Sequence, residues 1–525
     1  MSYAKVLCAA LVGAGGHVAE VEACVAPGLP AVIITGLPDE ALYESRERVR
    51  AAIGNSGGAW PYQRISVNLS PAYLRKFGSA FDLPIALAVL AADGQLPTAG
   101  LRGVLVVGEL GLDGSVRPVR GVLPMVAALL SQGVHRAIVP ASNASEASLV
   151  PGVQVLAART LSAVIDFLRG IGSLEPPTPA ARTQPAAPPD MVDVAGQHMG
   201  RLAVEVAAAG GHHLAFFGYP GGGKTMLANR LPSLLPELTD EEALEVTSIH
   251  SVAGLLAPGA SLIRRPPLQT PHHTSSVASL VGGGSGLARP GSLSLAHHGI
   301  LLLDEAPEFP GRVLEALRQP LEQGIITIGR RDGTVVYPAA VQLVLTANPC
   351  GCTTPLTAVN VCECTPSALR RYRRRLSGPL LDRIDIQLSL PPVSAVELLA
   401  EDQSRESSAQ VAARVAKARA AAADRWAELG CRTNAQVPGR ALRDRRWRLS
   451  RGATVGLGQL LDEGAVSSRG YDRVVRLAWT IADLLERAMP GAPEVDLAVT
   501  LRRGHQALPS PEFRVDGEDD DDGGC

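Results

Sequence analysis

Lysine is scarce in this sequence. It occurs only at positions 5, 76, 224 and 417 of the 525 residues, although lysine and arginine together number 49. No continuous apolar run approaches the roughly 18 residues that a membrane helix needs, so the sequence predicts no membrane span. The net charge of −2 and the isoelectric point near 6.6 give no overall sign of a polyanionic partner. A nucleic-acid surface must therefore be sought in local basic patches.

Cysteine is limited to eight residues, and half of them fall between positions 350 and 364. The residues after Lys5, VLCAALVGAGG, resemble a short signal peptide, but they continue into HVAEVEACV. The alternation of this second stretch is typical of a half-exposed strand. We therefore expect a cytosolic protein, in which clustered cysteines are thiols or thiolates rather than disulfides.

The sequence predicts an α/β protein with several domains. Residues 1–172 mix strand-like and helical runs, and residues 173–190 are rich in proline and alanine and predict an extended linker. Strands and helices alternate through residues 191–393, whereas residues 394–508 are rich in alanine, leucine and arginine and predict helices. The acidic end, residues 509–525, has the composition of a disordered tail.

The segment HHLAFFGYPGGGKTMLANRL predicts a phosphate-binding loop between a short buried strand and a helix. Its residues 218–225 fit the pattern G-x-x-x-x-G-K-[ST], in which backbone N–H groups and the positive end of the helix face phosphates. Lysine would reach the β- and γ-phosphates, and threonine would bind Mg²⁺. The predicted nucleotide-binding residues are Gly218, Pro220, Gly221, Gly222, Gly223, Lys224 and Thr225.

Three further segments could complete an ATP-hydrolysing site. GILLLDEAPEF predicts a buried strand that ends at Asp304, for the Mg²⁺ shell, and Glu305, which would polarise the attacking water. The strand VQLVLTAN ends at Asn348, which we expect beside the γ-phosphate. In GPLLDRIDI, Arg383 could complete the site of a neighbouring subunit in a ring, or it could be an ordinary salt-bridged arginine.

The order of the phosphate loop, PHHTSS, PGSLSLAHHGILLLDEAPEF, ANPC and SGPLLDRID resembles the magnesium-chelatase-like AAA+ ATPases of the YifB/ComM type, over nearly the whole chain. The resemblance implies an AAA+ core with a parallel sheet, a C-terminal helical lid, ATP with Mg²⁺, and a homo-hexamer. It makes Asp304–Glu305 Walker B, Asn348 sensor 1 and Arg383 the arginine finger. SSRGYDRVVRLAWTIADL matches the sensor-2 helix and puts Arg469 near the γ-phosphate. Ser292 departs from the glutamate that is usual in the family.

The cysteine cluster consists of two C-x-C pairs on the segment that leaves the predicted sensor strand. The resemblance places a cysteine-bearing insertion there, and four thiolates suit tetrahedral Zn²⁺, although C-x-x-C is the commoner spacing. Four unligated thiols are the alternative. The predicted zinc ligands are Cys350, Cys352, Cys362 and Cys364. We expect the histidine pairs at 212/213, 272/273 and 297/298 to pack or hydrogen-bond rather than bind metal.

The first domain resembles the Lon-type S5 domain of the same family. Lon-type proteolysis needs a serine nucleophile with a lysine base. The resemblance puts Ala80 at the nucleophile position, one place after Ser79, and the lysine position near Leu123. No lysine lies between Lys76 and Lys224, so we predict a non-proteolytic domain that serves oligomerisation or nucleic-acid contact.

GIITIGRRDGTVVYPA predicts a β-hairpin with Arg330 and Arg331 near an Asp-Gly turn. In resembling ring ATPases this hairpin projects into the pore, where two arginines could follow a phosphate backbone. Basic clusters at 370–378 and 443–451 could add contacts or could be solvated helix faces.

Two classes of motor remain open at this point. The first, which the family resemblance implies, is a hexameric ATPase that moves on single- or double-stranded DNA, as a branch-migration helicase in recombination or natural transformation. The second is a protein-remodelling ATPase of the magnesium-chelatase subunit type. A Lon-like protease is disfavoured by the missing dyad, and DNA-stimulated ATP turnover separates the first two classes.

Overall fold

The structure is a computed structural model, and it describes residues 2–36, 40–74, 76, 78–177, 188–257, 259–284, 288–330, 333–351, 364–399 and 405–504. Arg331, Cys352 and Cys362 lie outside the described residues, as do the centre of the predicted linker and the predicted acidic tail. Within the described part of the chain, no helix is both long enough and apolar enough to cross a membrane.

The N-terminal part is an α/β layer structure built on a seven-stranded mixed sheet, with strand order β3-β4-β2-β1-β5-β8-β9. Helix α2 packs on one face, where the apolar side chains of β1, β2 and β4 form a common core with it. Its elements are β1 Ser2–Val12, β2 Gly15–Ala26, β3 Ala31–Thr35, α1 Glu40–Asn55, β4 Arg64–Ser70, α2 Asp82–Ala92, β5 Leu105–Val106, β6 Glu109–Leu110, β7 Val116–Arg117, α3 Val122–Ala127, β8 Arg136–Pro140, α4 Ala144–Ala147, β9 Gln154–Ala158 and α5 Leu161–Arg169.

The central part holds a five-stranded sheet in the order β11-β14-β17-β10-β18, with every neighbouring pair parallel. All six residues of β17 are buried, as expected for a central parallel strand. The elements are α6 His198–Gly210, β10 Leu214–Gly218, α7 Lys224–Ala228, α8 Asp240–Ala253, β11 Leu268–Gln269, α9 Val277–Val281, β12 Gly282–Gly283, β13 Arg289–Pro290, α10 Ser292–Leu295, β14 Ile300–Leu303, α11 Gly311–Ala316, α12 Arg318–Gln323, β15 Ile325–Arg330, β16 Gly333–Pro338, β17 Gln342–Ala347, α13 Pro366–Arg373, α14 Gly378–Leu381 and β18 Ile386–Leu390.

The C-terminal part is helical, as predicted. The N-termini of its long helices are capped by serine: Ser407 forms a capping box with Gln410, and Ser467 accepts from the N–H of Gly470. These helices share one apolar core with α6 and the parallel sheet. The helices of the C-terminal part are α15 Ala395–Leu399, α16 Ser408–Arg425, α17 Gly439–Leu442, α18 Arg451–Asp462, α19 Ser468–Leu484 and α20 Ala492–Arg503.

The ends of the predicted linker make contacts with the folded parts on either side. The N–H of Ala157 in β9 donates to the carbonyl of Glu175 at 3.0 Å. At the other end, the Asp190 carboxylate accepts from the N–H of Ser408 at 2.7 Å. The proposed domain boundaries remain predictions, but these contacts anchor both ends of the connection to neighbouring elements.

Candidate nucleotide-binding site

The predicted site residues meet at one edge of the parallel sheet. Strand β10 lies between β17 and β18, and β17 also pairs with β14. Because the strands are parallel, their carboxyl ends share an edge, which carries the phosphate loop after β10, Asp304 after β14 and Asn348 after β17. This is the edge at which ligands bind in open α/β sheets.

The phosphate loop requires glycine for two different reasons. Gly218 has φ +151°, and a Cβ there would lie 2.5 Å from the carbonyl oxygen of Leu390. Gly221 and Gly223 both have φ +81°, and a Cβ at either position would meet open space. The first glycine therefore permits close packing against β18, whereas the other two permit the left-handed turns that open the loop outward. This open, backbone-lined cradle fits a nucleotide phosphate.

Gln197, which the sequence analysis missed, supports the loop from behind. Its side-chain amide donates to the carbonyl of Gly222 at 3.0 Å and to that of Pro391 at 2.6 Å. The residue is buried and precedes α6 with φ +50°. It joins the loop to the end of β18 and so fixes the loop against the sheet.

Lys224 lies at the first turn of α7 with its ammonium group inside the loop. Nζ donates to the carbonyls of Gly218 and Tyr219, both at 2.8 Å, and to Oδ1 of Asn348 at 3.0 Å. Burial lowers the pKa of Lys224, while the nearby carboxylates of Asp304 and Glu305 oppose this shift. The predicted phosphate lysine and the predicted γ-phosphate asparagine are thus in direct contact.

Thr225 and Asp304 form the pair expected to hold Mg²⁺. The Thr225 hydroxyl donates to Oδ1 of Asp304 at 2.9 Å, so the two oxygens lie where one cation could bind both. Mg²⁺ prefers oxygen ligands and usually retains several waters beside phosphate oxygens. The residues present therefore fit a magnesium–nucleotide complex.

Thr346, in β17, connects the two acidic residues. Its hydroxyl donates to Oδ1 of Asp304 at 2.5 Å and accepts from the backbone N–H of Glu305 at 3.0 Å. Glu305 is exposed and has φ +52°, an uncommon value for a non-glycine residue. The threonine hydroxyl thus holds the turn that presents the Glu305 carboxylate.

Replacing Thr346 by valine should lower kcat for ATP hydrolysis by about 10- to 100-fold, the usual effect of removing a group that orients a metal ligand. KM for ATP should change less, because the Lys224 contacts are untouched. Thr346→Ser, which keeps the hydroxyl, is the matched control and should retain most activity. Steady-state kinetics of the three proteins decide the matter: a fully active valine variant would contradict the role.

Arg383 follows α14 and has a partner within its own chain. Its guanidinium donates to the carbonyl of Pro379 at 2.6 Å and to the carboxylate of Glu322, on α12. The arginine side chain is 12 % exposed, whereas that of Glu322 is 54 % exposed. Within one chain, Arg383 therefore forms a salt bridge. The sequence analysis left this alternative open beside the role of an arginine finger.

Arg469 lies at the start of α19, next to the segment that carries Arg383. Its Nη1 is 3.9 Å from Oδ2 of Asp382, and its side chain is 73 % exposed. Ser467 and Arg502 also approach the Asp382 carboxylate, at 3.4 and 3.7 Å. The described contacts of Arg469 are therefore with the Asp382–Arg383 segment.

Of the four predicted zinc ligands, only Cys350 and Cys364 are described. Cys350 is 4 % exposed and follows β17, while Cys364 lies two residues before α13. Cys352 and Cys362 fall outside the described residues, so the four-thiolate site stays a prediction. Tyr372 of α13 packs against this region, since a Cβ on Gly351 would lie 3.1 Å from its ring.

A different group of side chains, Glu245, His297 and His298, could offer three metal-ligand atoms within 4.8 Å of one another. Both histidine Nε2 atoms lie 3.3 Å from Oε2 of Glu245. However, Nδ1 of His297 accepts from the N–H of Ala340 at 3.0 Å. A neutral His297 ring then carries its proton on Nε2, which favours a contact with the carboxylate over metal ligation. The two histidines hold the pKa of Glu245 well below its usual range.

In the N-terminal part, the two positions that the resemblance assigns to the proteolytic dyad carry no catalytic side chain. Ala80 and Leu123 are both buried. The Ser79 hydroxyl donates to the Glu109 carboxylate, and Lys76 Nζ donates to the carbonyls of Leu69 and Pro71. Burial lowers the pKa of Lys76. The lysine thus ties together the loop after β4, and the absence of proteolysis remains a prediction.

The predicted arginine-bearing hairpin is present. Strands β15 and β16 pair antiparallel from Ile325–Pro338 to Arg330–Gly333. Tyr337 is fully buried, and its hydroxyl donates to the carbonyl of Ala288, which anchors the base of the hairpin. The hairpin connects α12 to β17, so it lies in the chain between Glu305 and Asn348.

Comparison with known families agrees with this architecture in all three parts. The family described as magnesium chelatase, subunit ChlI, matches residues 190–398. The family described as subunit ChlI of Mg-chelatase matches residues 21–143, and the subunit ChlI C-terminal family matches residues 405–502. Stretches that cover 27 % and 26 % of the chain are also similar to Lon protease 3 of Sorangium cellulosum, at 28 % identity, and to the archaeal Lon protease of Pyrococcus abyssi, at 30 % identity.

Similar proteins extend over nearly the whole chain. An uncharacterized protein of Mycobacterium tuberculosis is 51 % identical over 503 residues, which cover 96 % of this chain and 99 % of that protein. The uncharacterized protein YifB of Escherichia coli is 40 % identical, with 92 % of this chain and 94 % of that protein covered. The competence protein ComM of Haemophilus influenzae is 38 % identical with the same coverage.

The chain therefore belongs to the magnesium-chelatase-like AAA+ ATPases, in the group that contains YifB and ComM. The predicted family and fold class are confirmed, and ATP with Mg²⁺ is the nucleotide complex that this family implies.

Proposed function

We propose that this chain is the subunit of a hexameric ring motor that uses ATP hydrolysis to move on DNA, with branch migration in recombination or transformation as its task. The observation that carries the proposal is the hairpin β15–β16. It leaves the core between Glu305 and Asn348, and Arg330 pairs with Gly333 at its far end. A movement of the hairpin can thus be transmitted along the chain to Glu305 and to Asn348. A similar protein named for competence supports DNA as the partner.

The roles of the site residues follow from their contacts. The phosphate loop and Lys224 hold the phosphates, and Thr225 with Asp304 holds Mg²⁺, which would neutralise charge on the transferred phosphoryl group. Glu305 accepts the proton of the attacking water, with its backbone held by Thr346. Asn348, bonded to Lys224, orients the lysine toward the γ-phosphate.

Arg383 and Arg469 act together at the site of the adjacent subunit. The support for this arrangement is that Arg469 approaches Asp382, the residue next to Arg383. In a ring, Arg383 would exchange its partner Glu322 for the γ-phosphate of the neighbour. An arginine supplied across an interface in this way is worth about 10³- to 10⁵-fold in kcat in other nucleotide hydrolases.

Two further features belong to the proposal. The cysteines at 350, 352, 362 and 364 would supply four thiolate ligands for a structural Zn²⁺ after β17. Helix α13, which follows that loop, and the residue after it expose basic side chains that could add phosphate contacts: Arg370, Arg371, Arg373 and Arg374.

A protein-remodelling motor is the second candidate, and the description of the matching family as a magnesium chelatase subunit favours it. Such a motor would use the same ATPase site on a protein partner. Its hydrolysis would respond to that partner and not to DNA, and this difference separates the two candidates.

The combined change Arg330→Ala and Arg331→Ala should leave basal ATP hydrolysis intact, because neither residue lies in the nucleotide motifs. It should abolish stimulation by DNA and flatten the log–log salt dependence of DNA binding by about 0.7 to 0.9 units for each lost phosphate contact. ATP turnover and DNA affinity at several salt concentrations, with ring size checked on the same preparation, measure these effects.

The matched control is another adjacent arginine pair, Arg264→Ala with Arg265→Ala. Arg264 forms a surface ion pair with Asp240 at 2.8 Å. This variant loses the same two positive charges as the hairpin variant, but from a surface outside the hairpin. The control should keep its response to DNA. Hairpin variants that form rings and respond fully to DNA would rule the hairpin out as the DNA contact.

A further inference from the structure

The turn between β1 and β2 of the N-terminal part rests on the hairpin of the ATPase part. Gly13, in this turn, has φ +63°. A Cβ at Gly13 would lie 2.4 Å from the carbonyl oxygen of Val336 and 3.3 Å from Cγ1 of Val335. Ala14, the next residue, packs against the same apolar core as Ile328 and Val335 of the hairpin. The backbone of the turn is therefore in van der Waals contact with β16.

The base of this turn is held by α3 within the N-terminal part. A Cβ on Gly16 would lie 2.1 Å from the carbonyl oxygen of Pro124, so β2 and α3 are in close backbone contact. Gly121, the residue before α3, lies close to Leu11 of β1, with 2.5 Å between its hypothetical Cβ and Cδ1 of the leucine. A side chain at Gly16 would press on the backbone of α3 and separate the two elements. The turn and α3 therefore form one rigid unit.

This unit is docked on the end of α8. The N–H of Gly121 donates to the carbonyl of Ser251 at 3.3 Å, and the Ser251 hydroxyl donates to the Glu146 carboxylate. Val252 lies in the same buried cluster as the apolar side chains of α3. Helix α8 is itself joined to the segment before β14, because His250 Nε2 lies 3.0 Å from the carbonyl of Leu295.

The hairpin is consequently held on two sides. Tyr337 and Ile328 fix it to the ATPase core, since the Tyr337 hydroxyl bonds to Ala288 and Ile328 packs near Gly282. On the other side, the turn at Gly13 contacts β16, and this turn is itself held by α3 and α8. We propose that the N-terminal part is a brace that positions the β15–β16 hairpin relative to the ATPase core. The consequence for DNA-stimulated hydrolysis rests on the proposed function, whereas the brace itself does not.

The test compares two glycines with nearly equal backbone strain. Gly13 has φ +63° and Gly133 has φ +65°, but a Cβ at Gly133 would meet open space. Gly13→Ala and Gly133→Ala therefore add the same methyl group in the same unfavourable backbone region, and only the first pushes on the hairpin. Hydrogen exchange of the amides in 325–330 and 333–337 is measured in the full-length protein. Gly13→Ala should raise these rates by about tenfold, and Gly133→Ala should leave them unchanged.

Basal and DNA-stimulated ATP turnover are measured on the same preparations. Gly13→Ala should keep the basal rate and lose most of the stimulation. Equal hairpin exchange in the two glycine variants would overturn the brace. A wild-type ring that ignores DNA would instead overturn the proposed DNA function, while the exchange comparison would still decide the brace.

If Gly13→Ala does not fold, a second pair of variants tests the same contact by substitutions within the hairpin. Val335→Ala removes the methyl group nearest Gly13, whereas Val336→Ala trims a side chain that is 46 % exposed. Faster hairpin exchange in Val335→Ala alone supports the brace, and equal exchange in both overturns it.

Discussion

Glu305→Gln should bind ATP as tightly as the unaltered protein but hydrolyse it about 10²- to 10⁴-fold more slowly. The amide is isosteric with the carboxylate and keeps the backbone bond to Thr346, so the turn should not move. The substitution removes the carboxylate that accepts a proton from the attacking water. Equilibrium binding of a fluorescent ATP analogue and single-turnover hydrolysis measure the two steps separately.

Glu308→Gln is the matched control for this change. Glu308 lies three positions further along the same segment, and its carboxylate pairs with Arg375 at 3.0 Å. The loss of one negative charge is the same, but no contact with the nucleotide residues is affected. Its hydrolysis rate should stay within a few-fold of normal, and a Glu305→Gln enzyme as fast as this control would remove Glu305 from proton transfer.

Arg383→Ala should retain ATP binding and lose about 10³-fold or more in hydrolysis, because the arginine would act on the nucleotide of the adjacent subunit. Lys224→Ala should lose nucleotide binding in its own site. Mixed in equal amounts, the two inactive proteins should recover activity. About a quarter of the interfaces in randomly mixed rings would pair an intact Lys224 with an intact Arg383.

Arg159→Ala is the control for loss of a positive charge, since the exposed Arg159 forms a surface ion pair with Glu175 at 3.4 Å. Its basal hydrolysis should be normal. If mixed rings are demonstrated by mass measurement and remain inactive at every ratio, Arg383 does not act across the interface. Its bond to Glu322 would then be a structural salt bridge.

The geometry of the candidate nucleotide site was largely predictable because its signals are local. The apolar run Ile300–Leu303 forms β14 with the predicted bounds, and Asp304 and Glu305 follow it at the sheet edge. The glycine-rich loop and Lys224 lie between a strand and a helix, as the pattern requires. Parallel pairing then brings these segments together without further information from the sequence.

Thr346 and Gln197 could not be assigned in the same way, because their roles depend on partners distant in the chain. Thr346 is one hydroxyl in an apolar strand, and its partner Asp304 lies 42 residues away. A polar residue inside a fully buried strand was the one available signal, since such a group must find a hydrogen-bond partner. For Gln197, whose partners include Pro391, the sequence offers no local signal.

The contact between Gly13 and the hairpin is even less accessible to prediction from sequence patterns. A glycine between two strands predicts a turn, and the turn between β1 and β2 is present. That this turn packs on Val336 depends on how two parts of the chain dock. Such docking is determined by surface shape rather than by residue spacing, and only the structure reveals it.

The most direct test of the DNA-motor proposal is steady-state ATP hydrolysis by assembled rings with and without DNA. Single-stranded, duplex and branched substrates are titrated at low and at physiological salt, because phosphate contacts weaken as salt rises. The account predicts that DNA raises turnover and that Glu305→Gln abolishes both the basal and the stimulated rate. Rings that hydrolyse ATP at one rate, whatever DNA is added at either salt concentration, would contradict it.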